Sequence, residues 1–234
     1  MLGPICYGWG ALTLMIEGDM RQTTRAQRLD GKTRREQIID VTLDLVAEHG
    51  VRDTTLSRIA AVIGITTPGL YAHFGSRKEI LLAALDDLFD NRTLPQRHAG
   101  RGNALDRIRA IEGEHSELLA SDHDRYVLAL FEFVAAPAQE GLRETLGRKH
   151  LARLQEMADI VRTGQEEGSI RMDADPKQTA WMILSRAWTG DIAHLMGITD
   201  EWDAERSARM LDFILDSITT TPQDCHPPAA NDPS

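Results

Sequence analysis

Cysteine is nearly missing from this chain of 234 residues: Cys6 and Cys225 stand near opposite ends. Two thiols so placed exclude a disulfide framework and a CxxC metal knuckle, and they suit a reducing compartment, the cytoplasm. Long hydrophobic runs are missing too. No stretch approaches the roughly 20 apolar residues of a membrane span, so no membrane partner is expected. Met1 to Ile16 is apolar but contains no Lys or Arg. It lacks the charged opening of a secretory signal, and a start at Met20 is the simpler expectation. Alternating Val, Ile, Thr and aromatic runs between turn signals are almost wanting, which argues against a sheet. GxSxG, HExxH, P-loop and GxGxxG patterns do not occur, so neither a catalytic residue nor a cofactor is expected and the chain does not read as an enzyme.

What is present is ordinary globular material, 42% hydrophobic and 26% charged, enough to bury a core. Acidic residues outnumber basic ones, 36 to 26, for a net charge of −10. That excludes a uniformly basic nucleic-acid coat but not a basic patch on an acidic body. The charge is in fact split. From Arg21 to Lys78 there are ten basic and six acidic residues, and from Glu79 onward sixteen basic and twenty-eight acidic. A basic head on an acidic body points to an anionic partner for the head alone.

Helical spacing dominates the head. Thr33 and Glu36 make a capping-box pattern ahead of a stripe of Ile38, Ile39, Thr42, Leu45 and Val46, which Gly50 closes. Thr54 and Thr55 offer a cap for a second helix of about two turns, through Ile59, Ala60, Val62 and Ile63 to Gly64. Thr66 caps a third, around Thr67 to His73, with Pro68 in its first turn. Ser76 and Glu79 form another capping pattern, and Ile80, Leu81, Leu82, Ala84, Leu85, Leu88 and Phe89 carry a fourth helix onward. Two short helices across a glycine turn, braced by a longer one, form the helix-turn-helix plan. In that plan the second helix of the pair enters the major groove. Thr66, Thr67, Pro68 and Gly69 permit close approach, and Thr67 suits a base edge or a thymine methyl. Tyr71 and His73 suit phosphates, and Arg77 and Lys78 at the next helix start form a second phosphate site.

The run from Thr54 to Leu81, TTLSRIAAVIGITTPGLYAHFGSRKEIL, resembles the DNA-binding signature of the TetR family of bacterial transcriptional regulators. Thr55, Ile59, Ala60, Gly64, Ile65, Thr66, Leu70, Tyr71, His73, Phe74 and Ser76 carry the likeness, and Arg34, Ile38, Ile39 and Gly50 fit the family's first helix. Two positions depart: Ile63 stands where alanine is usual and Arg77 where lysine is usual. The resemblance implies a homodimer on a near-palindromic operator and a C-terminal domain that binds a small ligand and releases DNA. It makes Arg34, Thr55, Thr66, Thr67, Pro68, Gly69, Tyr71, His73, Arg77 and Lys78 the expected DNA-contacting set. Arg21, Arg25, Arg28, Lys32, Arg34 and Arg35 read either as a solvated tail or as an arm reaching phosphates or the minor groove.

The expected architecture is therefore all-α, with a helix-turn-helix DNA-binding domain over 31–78 and a helical effector-binding and dimerisation domain over 79–220. A disordered or basic arm, 1–30, and a disordered tail, 221–234, flank them. The body reads as five helices: Asn103 to Leu119, Asp124 to Ala135, Ala138 to Glu166, Pro176 to Met196 and Trp202 to Thr219. The last two are apolar on two faces, so one face of each is expected to meet a second copy of the chain. His115, Tyr126, Phe131, Met157, Trp181 and Trp188 are candidates for lining an effector cavity, each with plain core packing as the simpler reading. Asp191 with His194, and Asp122, His123 and Asp124, have metal-ligating side chains, but a cap and a solvated face explain them more cheaply and no metal is expected.

Overall fold

A computed structural model describes residues 31–93 and 102–220, with the backbone alone at 93 and over 114–124. The arm over 1–30, the tail and both cysteines lie outside these residues. Every regular element among them is helical, and an isolated bridge between Ile170 and Thr219 is the sole strand-like pairing. Helix α1 is Gly31–Asp53, α2 Leu56–Ile63, α3 Thr67–Tyr71 and α4 Arg77–Asp87. A π-helical turn, Leu88–Thr93, extends α4. Then follow α5 (Ala104–Ala135), a 3₁₀ turn (Ala138–Glu140), α6 (Leu142–Glu166), α7 (Pro176–Leu195) and α8 (Ala204–Ile218).

The caps expected from sequence do their work at α2, α3 and α4. The side chains of Thr55, Thr66 and Ser76 accept from the backbone N–H three residues on. Two boundaries differ. Helix α1 begins at Gly31, so Thr33 lies inside the first turn, and Glu36 stands 4.0 Å from Lys32 one turn back. Asn103 to Leu119 and Asp124 to Ala135 form one helix rather than two. Asp122 to Asp124 resemble a cap, but no Gly or Pro breaks the chain between Leu119 and Asp124, so the backbone hydrogen bonding runs on. The start of that helix carries a full capping box, Asn103 with Asp106.

Three apolar clusters organise the molecule. The head cluster is Ile38, Leu45, Ile59, Ala60, Leu70, Phe74 and Ile80, joining α1 to α4. A middle cluster sets Leu43, Val46 and Val51 of α1 and Leu81, Leu85, Leu88 and Phe89 of α4 and its extension against Tyr126, Leu130 and Phe133 of α5 and Leu142 and Leu146 of α6. A distal cluster joins α5, α6, α7 and α8 through Ile108, Met157, Val161, Ile183, Leu184, Leu211 and Leu215. Helices α1 and α4 thus take part in both head and middle clusters. A division at residue 78 falls inside α4, just before Ile80 turns to the head and Leu81 to the body.

The helix-turn-helix surface and the body sites

Gly64 ends α2 in the left-handed region, φ +75, where only glycine is unstrained. Its N–H and that of Ile65 both return to Ala60, which turns the chain sharply into Thr66. Leu70 is buried, pinning α3 by its inner face, so the outer face is left to polar and small residues. Tyr71 is 53% exposed there. Thr66 and Pro68 are exposed beside it, while Thr67, Gly69 and His73 are half-buried. A β-carbon on Gly69 would meet only ordinary contacts, 3.5 Å or more from Thr66 and Ile65. Packing within the chain therefore does not require glycine here, and the bare backbone leaves room for something outside. Thr55 and Lys78 are exposed, and Arg34 is half-buried with its guanidinium donating to Gln37 at 2.7 Å.

Arg77 is where structure and expectation part. Its Nε donates to the Thr54 carbonyl at 2.7 Å, Nη2 donates to the Val51 carbonyl, and Nη1 pairs with Glu140 at 2.8 Å. A guanidinium spread over three acceptors inside the protein is turned away from a phosphate. The planar fork that lets arginine do this is what the usual lysine lacks. Arg35, grouped with residues read either as a solvated tail or as an arm, is likewise structural. It donates to the His73 carbonyl at 2.5 Å and lies 3.8 Å from the Phe74 ring centroid, holding the end of α3 against α1. Val62 on α2 is an apolar residue left 61% exposed.

The five body candidates whose side chains are described do not converge on one cavity. Tyr126 is buried in the middle cluster, its hydroxyl accepting from Arg92 at 2.9 Å, and Met157 is buried in the distal one. Phe131 meets Trp188 edge-on at 5.7 Å, and Trp188 in turn meets His150 at 5.6 Å. His150 also lies 5.7 Å from Trp181, and burial pushes its imidazole pKa down, toward the neutral form. His150 was missed from sequence because nothing local says which rings it faces. Trp181 is 52% exposed and borders an open groove of about 340 Å³ with Leu151, Leu154, Gln155 and Lys177. The His115 side chain and the Asp122–Asp124 side chains lie outside the described residues. Asp191, expected on a solvated face, is instead buried. No group of three metal-ligating side chains occurs among the described residues, and no helix among them is long and apolar enough to cross a membrane.

A short capped helix, held by one buried leucine, braced by a longer helix and presenting polar residues across a glycine turn, defines a helix-turn-helix DNA-binding regulator. The family model for bacterial regulatory proteins of the tetR family matches residues 38–84. The chain carries the DNA-binding domain of that family. It is 28% identical over 177 residues to the HTH-type transcriptional repressor KstR2 of Rhodococcus jostii, covering 70% of this chain and 81% of that one. It is 22% identical over 150 residues to the fatty acid metabolism regulator protein of Bacillus subtilis, covering 63% and 76%. Its fold is similar to that of TylP, a TetR regulator from Streptomyces fradiae, with a TM-score of 0.66 at 21% identity over 84% of this chain and 91% of that one.

Proposed function

We propose that this regulator is a cytoplasmic repressor that binds a near-palindromic operator as a homodimer and is released by a small molecule held in its body. The observation that carries the DNA half is the outer face of α3: Tyr71 exposed, Leu70 buried, and no bulky side chain at Gly69. In this reading Thr67 meets a base edge, while Tyr71, His73, Thr55, Lys78 and Arg34 contact phosphates. The dimer half rests on apolar surface concentrated on the last two helices. Trp181, Met182, Ile192 and Leu195 on α7, Met196 just beyond it, and Met210 and Phe213 on α8 are exposed, Phe213 by 70%. Exposed apolar side chains gathered on two neighbouring helices suit a self-complementary seam built from two helices of each copy. Such a dimer sets the two α3 helices one groove repeat apart, about 34–36 Å on B-DNA. A ligand that binds better to a body holding another spacing lowers DNA affinity by the same coupling energy.

Fluorescence anisotropy with the upstream intergenic DNA tests this. A salt-sensitive complex preferring that DNA over random duplex is expected. Tyr71→Ala should weaken both, by about 10-fold or more, while Thr67→Ala should mainly alter preference. Equal losses on specific and random DNA for both variants would refute the assignment of roles. For the seam, sedimentation equilibrium at micromolar concentration should show a dimer that Phe213→Glu converts to monomer. A wild-type monomer would rule the seam out.

A further inference from the structure

Between the middle and distal apolar clusters, α5, α6 and α7 pass through a layer where the described side chains turn polar. Glu112 of α5 and Arg186 of α7 form an ion pair there, with side chains only 3% and 4% exposed. Arg186 also donates to Ser207 of α8. Arg153 of α6, mostly buried, is near enough to pull on the Glu112 carboxyl, and its own hydrogen-bonded partner is the exposed Glu156 at 2.9 Å. The Nε atoms of Arg186 and Arg153 are both buried without an acceptor.

Isolated buried ion pairs rarely repay their desolvation, and an apolar pair of equal volume would hold three helices together as well or better. Here burial pushes the Glu112 carboxyl up against the pull of both arginines, so the cost is visible in the group itself. Arg186 pairs directly with the one buried carboxylate, Arg153 acts on it only through space, and both guanidinium groups keep an unused buried Nε donor. A second carboxylate is what such a site lacks, since the planar fork of arginine fits it with two parallel hydrogen bonds. Apolar walls on either side with a few convergent polar groups are the usual makeup of a small-molecule site.

We infer that the effector is an amphipathic organic acid whose carboxylate takes Arg186 from Glu112, with Arg153 as the second cation and the apolar clusters receiving its body. This rests on the ligand-responsive reading above. It also supplies the switch: a carboxylate on Arg186 loosens the pairing of α5 with α7, and α5 carries the middle cluster on which α1 and α4 of the head are packed.

The test uses the full chain, operator DNA and two matched probes, decanoate and decan-1-ol, at neutral pH, read by calorimetry and by DNA release. Decanoate should bind and release DNA at concentrations at least 10-fold below decan-1-ol. Glu112→Gln keeps the size and a hydrogen bond but removes the competing charge, and should tighten decanoate about 10-fold or more. Arg186→Gln should weaken it by a similar factor. If Arg186→Gln fails to fold by circular dichroism, the Glu112→Gln shift decides. Equal potency of acid and alcohol, no binding of decanoate, or an unchanged affinity in Glu112→Gln would overturn the inference. Release by decan-1-ol alone would overturn it while leaving the ligand-released regulator intact, whereas absence of any DNA complex without ligand would fell the regulator reading itself.

Discussion

The head and the body of this protein are built on different information. In the head, short helices are started by Thr55, Thr66 and Ser76 and stopped by Gly64, each acting on a backbone group within four residues. In the body, α5 and α6 run for 32 and 25 residues, and what matters is which faces meet across large sequence separations. Glu112 and Arg186 are 74 residues apart, and Arg77 and Glu140 are 63 apart. A surface made by local rules can be recognised from a motif. A site made by convergence of distant side chains cannot.

Substitutions in each region sharpen this contrast. The largest effect is expected in the head core. Phe74→Ala removes a fully packed ring under Arg35 and should cost about 3–5 kcal/mol in urea unfolding, with loss of DNA binding. A cost below about 1 kcal/mol would mean that the head does not depend on its small cluster.

In the body, burial raises the Asp191 carboxyl pKa to about 6, with His194 pulling the other way. An unfolded aspartate titrates near 4. The folded state therefore holds its proton longer, and wild-type stability falls as pH rises from about 4 to 6 and stays lower above that. Asp191→Asn removes the charge. It should be more stable than wild type at pH 8, by at most about 3 kcal/mol, with the gap closing by pH 4. A gap that widens on acidification would contradict the sign.

Gly164 lies inside α6 where a β-carbon would fall 2.5 Å from the Ile170 side chain and 2.7 Å from that of Ala104. Gly164→Ala should cost about 1–3 kcal/mol of thermal stability by overpacking, leaving the operator preference of the folded protein unchanged. An unaltered melting temperature would show that the distal cluster is looser than its geometry.

The smallest effect discriminates most finely. Arg77→Lys keeps the charge but cannot bridge Val51, Thr54 and Glu140 together. It should lower DNA affinity by about 1–2 kcal/mol with an unchanged salt slope, because a positioning contact is lost rather than a phosphate contact. Unchanged affinity would restore the phosphate role that the sequence suggested.

Much of the head was legible beforehand. Ile59, Ala60, Leu70 and Phe74, all within the run that carries the family likeness, lie in one cluster. The inward turn of Arg77 was not legible, since its acceptors are the carbonyls of Val51 and Thr54, at and just past the end of α1, and the Glu140 carboxylate 63 residues on. Nor was the union of two expected body helices into α5, because a run such as Ser121 to Asp124 caps a helix only if the chain also turns there. His150 and the partition of Tyr126 and Met157 into separate clusters depended on the rotation of α5, α6 and α7 about their axes, which no periodicity specifies.

The amino-acid order by itself determined that the chain would be helical, where its short helices begin, and that a basic helix-turn-helix would stand at one end of an acidic body. These follow from hydrogen bonds and charges that act over a few residues. Tertiary structure alone decided which arginine faces outward, where the buried charges meet and which apolar face of α7 and α8 stays uncovered. Those depend on the packing angle between helices, and that angle is set by the shapes of many side chains at once.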